Sequence, residues 1–419
     1  MFKKSILTSL SLAIILFFAT AGLAAIPEHD GLSVALQLSI TRHPKVLGKL
    51  DELKSLGFEV DAAKAGRYPT LSLQGQTYSD ENSQVVARLQ QPLWAGGRID
   101  GAIDLSQMKL RSSDAALLAV RRQLMEETAA LYANLQGARK RMQAAERNLE
   151  EHEKLLGLIS RRQAGNIASE ADVRLARSRV AQAAAQLEQL RGLVEKSLSD
   201  LLAQTQAPVA ALLPVDESLL HLPDPATILL DAEKQSPLVQ QLINEVEVMR
   251  IQSDLRRADL LPVLSAQLDQ DMYLSSRTGE ESRDTRVGLV LTGNLEGGGL
   301  AGFGRVKAAE AMVNAARKDV DSARNEVRRR IQGLMADRHS LSRVRVSNEV
   351  LVSANEETLA SFLRQYDAGK KSWVDVLNAQ RELGEARQSL EQTKTQYVET
   401  TLRLAAITGR LDNYAGLKP

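Results

Sequence analysis

The chain has 419 residues, a formal net charge of +1, 4% aromatic residues and no cysteine. The near-zero charge gives no case for a nucleic-acid partner, and the lack of cysteine excludes thiol catalysis, cysteine-ligated zinc, disulfides and a lipid anchor on an N-terminal cysteine. Few aromatics beside abundant Ala, Leu, Arg, Glu and Gln are the composition of long helices and coiled coils, not of a compact enzyme.

Residues 1–24, MFKKSILTSLSLAIILFFATAGLA, read as a secretory signal peptide. Lys3 and Lys4 form the basic start, an apolar run follows from Ile6 to Phe18, and Gly22 and Ala24 supply small residues for cleavage after Ala24. Cleavage after Ala25 is the alternative. An uncleaved anchor is the competing reading, and the shortness of the apolar run disfavours it. No later segment is apolar enough for a transmembrane helix, so the mature chain is expected to be exported and not to sit in a membrane as helices.

The remainder is written twice, as a first repeat over 25–206 and a second over 226–411, with a tail at 412–419. His43-Pro44 recurs as Ser236-Pro237, and Tyr68-Pro69 as Leu261-Pro262, each 193 residues later. In chain order the first repeat reads as a helix over about 31–66, then strands at 70–78 and 84–92 (the strand pair 70–92). The Gly-rich turn LWAGGR, an unbroken helix from Arg98 to Arg162, and a turn at Ala164-Gly165 follow. Its last helix places Val173, Val180, Leu187, Val194 and Leu201 seven apart, with Ala176, Ala183 and Leu190 between. The Pro-marked stretch 207–225 is the joint between repeats. The second repeat gives a helix over 226–259, the strand pair 263–295, the turn LEGGGLAGFGR, a helix from Arg305 to Tyr366, and a turn at Ala368-Gly369. Its last helix places Val376, Leu383, Leu390, Tyr397 and Leu404 seven apart. A sustained seven-residue repeat means helices packed as coiled coils. The unbroken runs reach about 90–100 Å, so two shorter helices must meet each of them along its length.

The strands have the length that crosses a bilayer, about 9–11 residues. Four strands cannot close a barrel, and lipid does not tolerate open sheet edges. Either several chains share one barrel, with three chains giving twelve strands, or the strands are surface hairpins on a helical periplasmic protein. Ser372 is placed to cap the helix after the second turn. Asp172 and Asp375 suit the start of a solvated helix, where the dipole favours acids. Lys371 reads as a surface lysine and Trp373 as an exposed residue at the turn. Arg328, Arg329 and Arg330 form a solvated helix face or a lining. The five histidines, at 29, 43, 152, 221 and 339, show no metal-ligand spacing. No nucleophile–base pair or phosphate loop stands out, so neither an enzyme nor a cofactor is expected.

QPLWAGGR at 91–98, the paired Pro-strand starts, AGNIASEADVRLARSRVAQA at 164–183 and YDAGKKSWVDVLNAQREL at 366–383 resemble the TolC-like outer membrane efflux protein family. The resemblance runs from about residue 31 to 411. It implies a mainly α protein with β: a long coiled-coil helical barrel plus four transmembrane strands per protomer, closing a twelve-stranded barrel as a homotrimer. It implies a place in the outer membrane of a Gram-negative envelope, in contact with its lipid and reaching across the periplasm. The implied partners are a periplasmic adaptor and an inner-membrane ABC or proton-driven pump.

Gly165 and Gly369 become the periplasmic tips of the helical hairpins. Asp375 falls on the first acid of the family's constriction ring, and Asn378 on a second position that is an acid in the family's best-known member. Tyr366 falls on a tyrosine that locks the closed tip. Lys371 falls on a basic residue that pairs with an acid of the first tip, where Asp172 stands, although the first tip is one residue longer between its Gly and its Asp. Trp373 has no counterpart, and reads as an adaptor contact or as packing.

The expected function is the exit duct of a tripartite export system. Type I secretion of a large protein, such as an adhesin or toxin, is favoured by the missing lipidation cysteine and by the loose GGGLAGFGR turn. Small-molecule or multidrug efflux is the alternative, and a periplasmic coiled-coil adaptor or scaffold is the alternative of another class.

Overall fold

The computed structural model describes residues 31–78, 82–209, 212–275, 281–294 and 296–417, so the signal-peptide reading over 1–24 lies outside the described residues. The helix expected over 31–66 is two helices, α1 (Gly31–Arg42) and α2 (Pro44–Ala65). The break is dictated by Pro44, which has no N–H and whose ring excludes a continuing turn. His43 before it is extended, at φ −65° and ψ 133°. The second repeat breaks in the same way. There α6 (Pro225–Gln235) gives way to α7 (Pro237–Ala258), with the Ser236 hydroxyl accepting from the Val239 N–H. The joint between repeats carries a short helix, α5 (Glu217–Leu220).

Two helices dominate: α3 (Arg98–Ala164, 67 residues) and α8 (Leu300–Asp367, 68 residues), each about 100 Å long. The start of α8 corrects the reading at Arg305. Gly297, Gly298 and Gly299 take the left-handed turn, with Gly299 as N-cap at φ 93°, and the helix begins at once. At Gly302 inside it, a Cβ would meet the end of the Leu260 side chain, which would have to turn aside.

α4 (Glu170–Thr205) and α9 (Trp373–Ile407) complete the hairpins. α4, α9, α1, α2 and α7 line α3, while α9, α6 and α7 line α8. The seven-residue seams are the buried ones. Val173, Ala176, Ala183, Leu187 and Leu201 are buried on α4, as are Val376, Ala379, Leu383, Ala386, Leu390 and Leu404 on α9.

The largest core forms where Leu36 of α1, Met125 and Tyr132 of α3, Leu201 of α4, Leu219 of α5, Leu402 of α9 and Leu411 meet. The joint and the C-terminal segment are therefore packed, not loose. The Tyr132 hydroxyl donates to the Leu213 carbonyl at 2.6 Å, and Arg122 pairs with Asp412 at 2.7 Å. Further along, α3 and α9 approach closely at two glycines. A Cβ on Gly137 would lie 2.7 Å from Thr395 Cβ, and one on Gly384 would lie 2.6 Å from Asn148 Oδ1. Beside that second contact, buried Gln380 donates to Asn148 (3.1 Å) and Glu151 (2.6 Å), and Arg387 bridges Glu151 and Glu356 (2.9 and 2.8 Å). This polar group ties α3, α8 and α9 together in one arrangement.

The strands β1 (Thr70–Tyr78), β2 (Asn82–Trp94), β3 (Val263–Ser275) and β4 (Glu281–Thr292) form one antiparallel sheet in that order. β2 pairs with β3, so the sheet joins the two repeats, and among the described residues β1 and β4 each keep one unpaired edge. Leu71, Leu89, Leu268 and Val287 stand opposite one another across the four strands. Leu73, Val85, Met272, Leu289 and Leu291 share that face by the strand period of two, and all are exposed. The opposite face is polar. It carries Arg88–Asp269 (2.8 Å), Gln84–Tyr273 (2.7 Å), Gln90–Ser265 (3.1 Å) and the pair Arg286–Asp271. An apolar outer face, a polar inner face and free edges are the pattern of a barrel segment for lipid.

Candidate functional site

Both hairpins end in the same local structure. In the first tip, Ile167 N–H donates to the Arg162 carbonyl and Asn166 N–H to the Gln163 carbonyl, both at 2.9 Å. In the second, Lys370 N–H donates to the Gln365 carbonyl at 2.8 Å and Gly369 N–H to the Tyr366 carbonyl at 3.0 Å. Each is the paired closure of a helix C-terminus by a left-handed residue. That residue is Asn166 (φ 58°) in the first tip and Gly369 (φ 71°) in the second. Gly165 is the C-cap, at φ −86°, and matches Ala368. The expected extra residue in the first tip is thereby corrected: matching Asn166 with Gly369 makes the two turns equal in length.

The following helices start alike. Asp172 Oδ2 accepts from Ser169 Oγ (2.7 Å) and N–H (3.2 Å), and Asp375 Oδ2 accepts from Ser372 Oγ (2.9 Å) and N–H (3.1 Å). Each serine hydroxyl in turn accepts from the backbone N–H of its aspartate, which completes a reciprocal cap. The hydrogen bonds from Ser372, with the charge of Lys371 nearby, hold the Asp375 carboxyl below its ordinary range. A depressed carboxylate contributes its capping above the unfolded pKa of about 3.9 and loses it as pH falls through the lower folded value. Asp375 therefore remains charged throughout the mildly acidic range. Asn378 lies three residues on, along the same side of α9.

Tyr366 and Trp373 face each other across the second turn, with ring centroids 5.1 Å apart. Trp373 is only 3% exposed and packs with Leu155, Ile159, Val173, Val376 and Leu377. Trp373 looks exposed in sequence, but of its two readings the burial supports packing: the large ring lies against apolar side chains from the helix ends. Lys371 sits 4.0 Å from Asp375, with its ammonium 4.3 Å from the Phe362 ring centroid. Among the described residues its ion-pair partner within one chain is thus Asp375, not Asp172.

Sequence reasoning missed the link between the tips. Arg162 at the end of α3 donates to Asp367 at the end of α8 at 2.6 Å, and its guanidinium lies 4.7 Å from the Tyr366 ring centroid. The only signal was a basic residue in one last turn and an acid in the other, two hundred residues apart.

The site is therefore a pair of matched turns sharing an apolar plug and bridged by one arginine. Asp172 and Asp375 are engaged in capping and Asp367 in the bridge, and among the described residues no cluster of side chains suits a metal. Residues 35–205 and 228–410 match the family described as Outer membrane efflux protein. The chain belongs to that family.

The family places it in the outer membrane of a Gram-negative envelope, extending into the periplasm. One relative, outer membrane protein TolC of Vibrio cholerae, is 29% identical over 148 residues. That match covers 34% of this chain and about a third (33%) of the relative's length. The fold is similar to the outer membrane protein VceC of Vibrio cholerae, with a TM-score of 0.74 at 16% identity, covering 90% of this chain and 96% of that one. It is also similar to the Campylobacter jejuni CmeC outer membrane channel, with a TM-score of 0.74 at 15% identity, covering 91% of this chain and 86% of that one.

Proposed function

We propose that three copies of this efflux-family chain form a duct across the outer membrane and periplasm, as the exit component of a tripartite export system. The observation that carries this reading is the four-stranded sheet, apolar on one face, polar on the other and, among the described residues, unpaired at both edges. Lipid demands closure, and three such sheets joined edge to edge make a twelve-stranded barrel. The long hairpins continue it as a tunnel toward a periplasmic adaptor and an inner-membrane ABC or proton-driven pump. Recovery of the mature protein as a soluble monomer, away from the outer-membrane fraction, would return it to the class of periplasmic scaffolds.

The hairpin tips are the gate of this duct. Three copies of Asp375, with Asn378 behind them, form a ring that attracts cations. Asp375→Asn is expected to weaken block of the open channel by multivalent cations. With the native residue the block persists from pH 7 to about pH 5, because the carboxyl titrates below its ordinary range. Equal block in the two proteins removes Asp375 from the pore. When the ring assembles, Lys371 exchanges Asp375 for Asp172, while Tyr366 remains stacked in the plug. Lys371→Ala is then expected to raise the conductance of the purified protein in planar bilayers, and an unchanged conductance removes that pairing.

The cargo is a large protein moved by type I secretion. Support comes from the lack of any cysteine for lipidation and from the extended Gly-rich entry to α8. Mass spectrometry of secreted and surface proteins tests it in a deletion strain and its parent. Loss of one large protein outside, with its retention inside, is the expected result. An unchanged profile with increased sensitivity to dyes and antibiotics assigns small-molecule efflux instead.

A further inference from the structure

We propose that the junction between sheet and helices holds the phosphate group of a phospholipid from the inner leaflet of the outer membrane. Directly below the strand ends lies a cavity of about 210 Å³, bounded by the end of α7 and the starts of α3 and α8. Arg98, Arg256 and Arg305 line it, one from each helix. The acids on its wall are Asp259, 3.3 Å from Arg256, and Glu296, paired with Arg305. Three arginines against two acids leave a net positive charge, and the two ion pairs hold their guanidiniums in place. Arg98 donates to the Leu261 carbonyl, while its Nε is buried without a partner among the described residues.

Gly299 and Gly302 at the start of α8 also line the cavity, and with no side chain they leave room beside the guanidiniums. Guanidiniums are donors that bind a phosphodiester, often through two bonds at once. The surroundings identify the source. Leu300 (78% exposed), Phe303 (62%) and Leu261 (44%) stand open beside the arginines. Leu261 leads directly into β3, whose apolar face begins at Leu264, opposite Leu291. A free anion has no use for that apolar rim, whereas a phospholipid places its phosphate among the arginines and its acyl chains against the rim. The placement rests on the duct reading, which sets the strand ends at the inner leaflet.

Native mass spectrometry of the full mature protein, purified in detergent and supplied with phosphatidylglycerol, tests the site. The expected result is lipid adducts that survive activation and are not displaced by equimolar inorganic phosphate. Retention is expected to be about ten-fold weaker in Arg305→Gln and in Arg98→Gln, the effect of losing a charge-assisted hydrogen bond. Arg305 is more than half exposed, so its variant keeps the fold if Arg98→Gln does not. Lys64→Gln, on the exposed side of α2, is expected to retain lipid as the native chain does. Equal retention in Arg305→Gln, a native chain without adducts, or displacement by inorganic phosphate overturns the proposal. The same spectra report the oligomer, so loss of the trimer, which would count against the duct, is read separately from loss of lipid.

Discussion

Replacing Arg162 with alanine is expected to shift the hairpin tips toward the open state, read as a large rise in single-channel conductance. At the tips, Arg162 ties one hairpin to the other through its ion pair with Asp367 and its position over the Tyr366 ring. The pair is partly exposed, with Asp367 61% accessible, which limits it to about 0.2–1 kcal/mol. The cation–π contact adds about 0.5–1 kcal/mol. In the proposed ring of three opening together, about 0.7–2 kcal/mol per chain becomes about 2–6 kcal/mol. That changes the closed-to-open ratio by about thirtyfold or more. Asp367→Ala removes the ion pair and leaves the ring contact, so its effect is expected to be smaller. A native conductance in Arg162→Ala ends the idea, and equal effects of the two substitutions remove the ring contact from it.

Gly137→Ala is expected to destabilise the protein, against what helix propensity alone dictates. Alanine in a helix interior is favoured over glycine by about 1 kcal/mol. Here the added methyl meets Thr395 of α9, including its Cβ at 2.7 Å, which no rotamer change can move. Overpacking of this kind costs about 1–3 kcal/mol. The two terms oppose each other, and the close approach of α3 and α9 decides the sign. The readout is the midpoint of thermal dissociation of the assembled protein, expected to fall in Gly137→Ala and to recover when Thr395 is also changed to glycine. A raised midpoint in the single variant shows that α3 and α9 are not held this close. Gly384, facing Asn148 Oδ1 at 2.6 Å, is the matching contact farther along, and because the amide can turn aside the cost there is expected to be smaller.

Much of this architecture is legible in the sequence because it is periodic. Val173 to Leu201 and Val376 to Leu404 advance by sevens, and the buried seams follow them. Pro44 and Pro237 mark the same place in each repeat, although the helix breaks they impose had to be seen. What resists reading is local choice and distant pairing. Asn166 takes the left-handed turn beside a glycine that does not, since Asn is one of the few residues besides Gly that visit that conformation. Trp373 stands among Lys371, Ser372 and Asp375, a polar run that reads as surface. Its burial depends on Tyr366 across the turn and on Leu155 and Ile159 of α3. The Arg162–Asp367 bridge and the arginine cavity below the sheet join residues far apart in the chain, and no window of sequence contains them.

The sheet has one further consequence, and it is genetic. Because among the described residues β1 and β4 are its two unpaired edges, the proposed three-chain barrel would set the β4 edge of each chain against the β1 edge of the next. Such a head-to-tail ring closes only if every junction forms. A chain with proline in the middle of β4, at Val287 for example, cannot offer that edge, yet it still offers β1 to a neighbour. Made in equal amount with the native chain, it spoils every ring it enters, and only about one ring in eight is wholly native. In such an assembly mutations along these edges are therefore expected to be dominant, and truncations that never assemble to be recessive.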